Sequence, residues 1–73
     1  MIEQIIKIVS TIAKISPDEL GHNIEKEGLW DSFSHIEIIL SIEEQFHVSF
    51  SQNEIATAKS IKKIAESLKK KVK

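Results

Sequence analysis

Apolar positions recur at helical spacing along most of the chain. Ile2, Ile5, Ile6, Val9, Ile12 and Ala13 follow the i, i+3, i+4, i+7 pattern of a helix with one buried stripe, and Ile8 and Ile15 widen it. The spacing predicts a helix over 2–15, stopped at Ser16-Pro17 because proline disfavours helical geometry in the residue before it. Residues 16–31, SPDELGHNIEKEGLWD, carry the sole proline and both glycines and read as a long loop, with one helical turn open to Pro17-Asp18-Glu19-Leu20. Leu20, Ile24, Leu29 and Trp30 can pin that loop to a core. A second helix is expected over 32–46, capped by Asp31 or Ser32, with Ser34 and Glu37 at capping-box spacing. A short third helix is expected around Asn53–Thr57. A fourth starts after Ser60, with Ile61, Ile64, Ala65 and Leu68 on one face and Lys69-Lys70-Lys71 at the end that the helix dipole makes favourable for cations. No strand alternation or repeat interrupts the pattern. The expected fold is all-α: a small four-helix bundle of three main helices and one short helix, a single domain over residues 1–73.

The second helix has too many apolar residues for one buried face. On a wheel of about 100° per residue, His35, Ile38, Ile39, Ile42 and Phe46 share one arc, which suffices for a core. Phe33, Ile36, Glu37, Leu40 and Glu44 share a second arc, roughly opposite. Two readings stay open. The helix is central and buried on both sides, or the second arc is a docking face with apolar area for contact and carboxylates for steering. Ser32 likewise has two readings: a helix N-cap, or a modified serine whose phosphate meets the free N–H groups of the helix start.

Charge sharpens the first question. The net charge is −1. Residues 27–58 nevertheless carry six acids and no base, whereas residues 59–73 carry seven lysines and one acid. That acidic centre suits a basic protein partner, not nucleic acid or an anionic membrane. The lysines at the chain end read as a solvated helix terminus. With no cysteine there is neither a disulfide nor a thiolate metal site. The spacings of His22, His35 and His47 match no metal-ligand pattern. No histidine stands as an obvious base for a nucleophilic Ser32, and Asp31 alone does not make a triad. Neither a signal peptide nor a membrane-length apolar run is visible, so the expected location is the cytoplasm.

Asp31-Ser32-Phe33, followed by His35-Ile36-Glu37-Ile38-Ile39-Leu40 and by Ile42-Glu43-Glu44-Gln45-Phe46, resembles the Asp-Ser-Leu motif and second helix of acyl carrier proteins. The proline-containing loop, the Phe46-x-Val48 turn and the start of the last helix extend the resemblance over essentially the whole chain. The resemblance implies a non-enzymatic carrier with no catalytic residue and no metal. It implies 4′-phosphopantetheine, donated by coenzyme A, on Ser32, and an acyl group held on it as a thioester. Asp31 would position the magnesium of the phosphopantetheinyl transferase. Phe33, Ile36, Glu37, Leu40 and Glu44 would meet partners, with Glu43 at the edge of that face. Those partners are the transferase and the enzymes that load or transfer the acyl or aminoacyl group, each with a basic docking surface. A monomer is expected, with no nucleic acid or membrane partner.

The chain also departs from the family pattern. Phe33 stands for the usual leucine, Ser34 where many fatty-acid carriers have an acid, and His47 where glycine is common. The Gly28-Leu29-Trp30-Asp31-Ser32 spacing is closer to D-alanyl carrier proteins and to some carriers of specialised pathways. A specialised pathway is therefore expected over housekeeping fatty-acid synthesis. The alternatives are an aminoacyl or peptidyl carrier, or an unmodified helical interaction domain.

Overall fold

The structure, a computed structural model, describes residues 1–72. It contains α1 (Ile2–Ala13), α2 (Pro17–Gly21), α3 (Ser32–Phe46), α4 (Gln52–Thr57) and α5 (Ile61–Lys69). No strand occurs among the described residues. The three long helices are the expected ones. The turn open to Pro17–Leu20 is a helix of its own, so two short elements accompany them where one was expected.

α1 packs against α2, α3 and α5 and so holds the bundle together. Its Ile5 and Val9 meet Leu20 of α2, Ile38, Ile39 and Ile42 of α3, and Ile61, Ile64, Ala65 and Leu68 of α5 in one core, closed by Phe50 and Ala58. All of these side chains are buried. Removal of that apolar area from water is the main term that opposes chain entropy in a domain this small.

Three local expectations need correction. α1 does not run to residue 15: it ends at Ala13, because Lys14 takes a left-handed conformation (φ 59°) and returns its N–H to Ser10 O. Pro17 is not the stop. It is the first residue of α2, where its fixed φ suits a helix start and its missing N–H costs nothing. Ser34 and Glu37 form no capping box, because Ser34 is already helical and donates its own N–H to Asp31 Oδ1 at 2.8 Å. A capping box does occur at α4, between Ser51 and Glu54. His47 ends α3 with φ 56°, a conformation histidine tolerates better than most side chains.

The chain-end lysines are also not uniformly solvated. Lys71 folds back from the end of α5. Its Nζ lies 2.8 Å from Glu54 Oε1 and 5.3 Å from the centroid of the Phe50 ring. Glu54 thus accepts from Lys71 and from Ser51 N, and both interactions hold its carboxyl below the ordinary value. A carboxyl so held stabilises the fold while ionised, and that contribution disappears as pH falls through its lowered pKa. Chemical denaturation at pH 7 should therefore find Glu54→Gln less stable than wild type. The gap should narrow as pH is taken well below 4.5, the ordinary glutamate value. A gap independent of pH would remove the ion pair from the account.

Candidate functional site

α3 begins where the loop 22–31 delivers Trp30 and Asp31 to it. Asp31 is extended (φ −83°, ψ 175°), and its carboxylate accepts the Ser34 N–H at the orphaned first turn. That bond, and after it the Ser34 side chain, hold the Asp31 carboxyl below the ordinary carboxylate value. Ser32 is therefore not the cap. It is the first helical residue, exposed, and its hydroxyl makes no hydrogen bond to the described residues.

The loop that sets Ser32 in place is fastened at several points. Lys62 N donates to Ile24 O at 2.8 Å. Lys62 pairs with Glu25 at 3.5 Å, and Lys63 pairs with Glu27. Gly28 turns the chain with φ 79°. A Cβ at Gly28 would meet nothing within 4 Å, so the backbone conformation, not space, favours glycine there. Trp30 then donates its indole N–H to His35 Nδ1 at 3.0 Å. His35 is buried, and its Nε2 lies 2.7 Å from Ile55 O of α4. Because the indole nitrogen can only donate, Nδ1 accepts and the proton sits on Nε2, which donates to Ile55. One neutral imidazole thus joins the loop, α3 and α4.

Between these three elements lies a cleft of about 360 Å³. Ser32 and Asp31 stand on it, Trp30, Ile36 and Ile55 give it apolar walls, and Lys59 is its sole lysine. A wider groove of about 730 Å³ runs between α1 and α3 and includes neither Asp31 nor Ser32.

The residues of the second arc all lie on the surface. Phe33, Ile36 and Leu40 are 76, 50 and 58 % exposed, far from the burial expected of a helix packed on both sides. Glu37 and Glu44 are exposed as well. Together they make a stripe that runs from Phe33 to Glu44, roughly 16 Å along the helix at 1.5 Å per residue. The first arc points inward: His35, Ile38, Ile39 and Ile42 are buried and Phe46 is half-buried. Glu43 is half-buried and accepts the Phe50 N–H at 2.7 Å, so it shapes the turn after α3. Sequence periodicity had no means of finding the Trp30–His35–Ile55 bridge, Lys59 or the cleft, since each depends on contacts between separate elements. No group of three His, Asp or Glu side chains able to hold a metal ion occurs among the described residues. No helix among them is long and apolar enough to cross a membrane.

A small all-helical domain that presents an unpartnered serine hydroxyl at a helix start, next to a cleft and an exposed apolar and acidic stripe, has the design of a carrier. The family model described as "Phosphopantetheine attachment site" matches residues 3–68, and the chain belongs to that family. It is thus a domain of the kind that carries 4′-phosphopantetheine, and such carrier domains are not themselves catalytic. No curated protein and no solved structure gives a significant match. The site fits the group: an accessible hydroxyl, an adjoining cleft and a cation at that cleft.

The bridge yields a test of how the site is held. His35→Leu removes the acceptor for the Trp30 indole and the donor to Ile55 O. Each polar group left unpaired in a buried setting costs about 1–3 kcal/mol. Urea denaturation of this variant should show a lowered midpoint, and the emission of Trp30, the sole tryptophan, should shift to the red. Unchanged midpoint and emission would show that the bridge contributes nothing.

Proposed function

We propose that this protein is an acyl carrier protein in which Ser32 bears the 4′-phosphopantetheine arm. The observation that carries the reading is the free, exposed hydroxyl of Ser32 at the start of α3, within a chain that matches the attachment family over residues 3–68. In the attachment step Ser32 Oγ forms a new P–O bond with the pantetheine-bearing phosphorus of coenzyme A. The pyrophosphate P–O bond breaks, adenosine 3′,5′-bisphosphate leaves, and the serine proton passes to a base of the phosphopantetheinyl transferase. Asp31, an exposed and ionised carboxylate next to Ser32, fits a magnesium-positioning role in that complex. When bound, the arm supplies the terminal thiol that this cysteine-free chain lacks and holds an acyl group as a thioester.

The protein's own part is then presentation. Phe33, Ile36 and Leu40 offer apolar area, and Glu37 and Glu44 steer partners with basic docking surfaces. The transferase and the enzymes that load and unload the arm are the partners, met in turn by a cytoplasmic monomer of a specialised pathway. The Gly28-to-Ser32 spacing supports an aminoacyl cargo as the second reading.

Two outcomes are expected. Incubation with coenzyme A and a broad-specificity transferase should add one phosphopantetheine mass, mapped to Ser32 by fragmentation. Ser32→Ala should add none while it keeps its helical circular dichroism, since Asp31 and not Ser32 caps α3. Wild-type protein left unmodified by several transferases would count decisively against the carrier reading. Glu37→Lys with Glu44→Lys should slow modification most at low salt, where exposed charges are least screened. Equal rates at low salt would remove the steering role from these two residues.

A further inference from the structure

An arm on Ser32 begins with a negatively charged phosphodiester, and α3 itself offers it no full positive charge. Asp31 is adjacent and ionised in its capping role. Glu27 lies on the same loop, three residues ahead of Trp30. The N-terminus of α3 offers partial positive charge through the N–H groups of its first turn, but Asp31 already takes that of Ser34. The one full positive charge at the cleft is Lys59, on the link between α4 and α5. Lys62 and Lys63 pair with Glu25 and Glu27, and Lys71 with Glu54, whereas Lys59 has no carboxylate within ion-pair distance among the described residues. Its ammonium nevertheless stands near the loop, since it helps to hold the Glu27 carboxyl below the ordinary value, after the larger effect of Lys63.

We propose that Lys59 is a positioning residue for the arm, holding the phosphodiester on Ser32 and directing the chain beyond it into the cleft between Trp30, Ile36 and Ile55. The inference rests on Ser32 being the attachment point. A free phosphate would gain little from one exposed lysine. A phosphate tethered at the same cleft is different, because the link makes the encounter intramolecular and its effective concentration high. The consequence is orientation: the arm leans toward α4 and meets the stripe only at Ile36, which leaves Phe33, Glu37, Leu40 and Glu44 clear for a partner.

The test uses the holo protein made with coenzyme A and a transferase, with mass spectrometry to establish loading first. Phosphorus NMR and Trp30 emission are then compared for wild type, Lys59→Gln and Lys59→Arg. In wild type, loading should shift the Lys59 side-chain ammonium resonance and change Trp30 emission, and high salt should reverse part of the phosphorus shift. Lys59→Gln should move the phosphorus line toward that of a phosphopantetheinylated peptide and lose the emission change, and Lys59→Arg should restore both. The apo forms of all three should have the same circular dichroism and urea midpoint, which separates positioning from a structural role. Loaded wild type and Lys59→Gln with the same phosphorus shift and the same emission would overturn the proposal. Wild type that takes up no arm would instead overturn the attachment reading and this one with it, and the mass measurement alone identifies that case.

Discussion

Burial of one face of α3 is the constraint on which the rest of the structure depends. Ile38, Ile39 and Ile42 must enter the core that α1 organises, and a rigid helix then has no freedom in what it shows on its other side. Phe33, Ile36 and Leu40 are exposed as a direct result. The same rotation places His35 inward at the first turn, where it can reach both the loop and α4. Core packing, the display of the stripe and the closure of the cleft are thus three consequences of one helix orientation. A change that rolled α3 by even a part of a turn would disturb all three together.

Charge is distributed less simply than the segment totals imply. Of the six acids in residues 27–58, Glu27 and Glu54 pair with lysines near α5 and its end. Asp31 caps α3, and Glu43 accepts the Phe50 N–H. Glu37 and Glu44 remain exposed and without a salt bridge among the described residues. The negative field that α3 presents to solvent is therefore narrower than an acidic block, and it coincides with the stripe of exposed apolar residues. Exposed pairs such as Glu25–Lys62 add little stability one by one, about 0–1 kcal/mol in the usual case. Their effect here is geometric, because with the Lys62–Ile24 backbone bond they hold the loop that leads into Ser32.

What the sequence made legible is what repeats along a helix. The two arcs of α3, the face of α5 and the inward position of His35 follow from period alone. Local chemistry was less decisive. Ser34-x-x-Glu37 and Ser51-x-x-Glu54 have the same spacing, and only the second forms a box. Asp31 already occupies the cap position three residues before Ser34, and a residue inside a helix cannot also start it. Lys14 in a left-handed conformation carries no local signal, since a lysine there costs roughly 1–2 kcal/mol relative to a helical one. The tight turn between α1 and α2, and the packing of Ile15 and Leu20 that follows, decide it. The Trp30–His35–Ile55 bridge spans separate elements and could not have been read from one stretch of chain.

The bridge also explains why so short a segment as α4 is well placed to wall a cleft. Six residues make too few internal hydrogen bonds to hold a helix in water. α4 contributes no fully buried side chain, and its apolar anchorage is the half-buried Ile55 against the core. Polar contacts at its ends and edges add to that: the Ser51–Glu54 box, the Lys71–Glu54 pair and the bond from His35 to Ile55 O. An element held by polar contacts can move at lower cost than one held by buried area. The cleft beside Ser32 thus has one wall fixed by buried apolar area, α3, and one held largely by polar contacts, α4. Only Ile36 belongs to both the cleft and the exposed stripe, so Phe33, Glu37, Leu40 and Glu44 lie outside the cleft on the same helix.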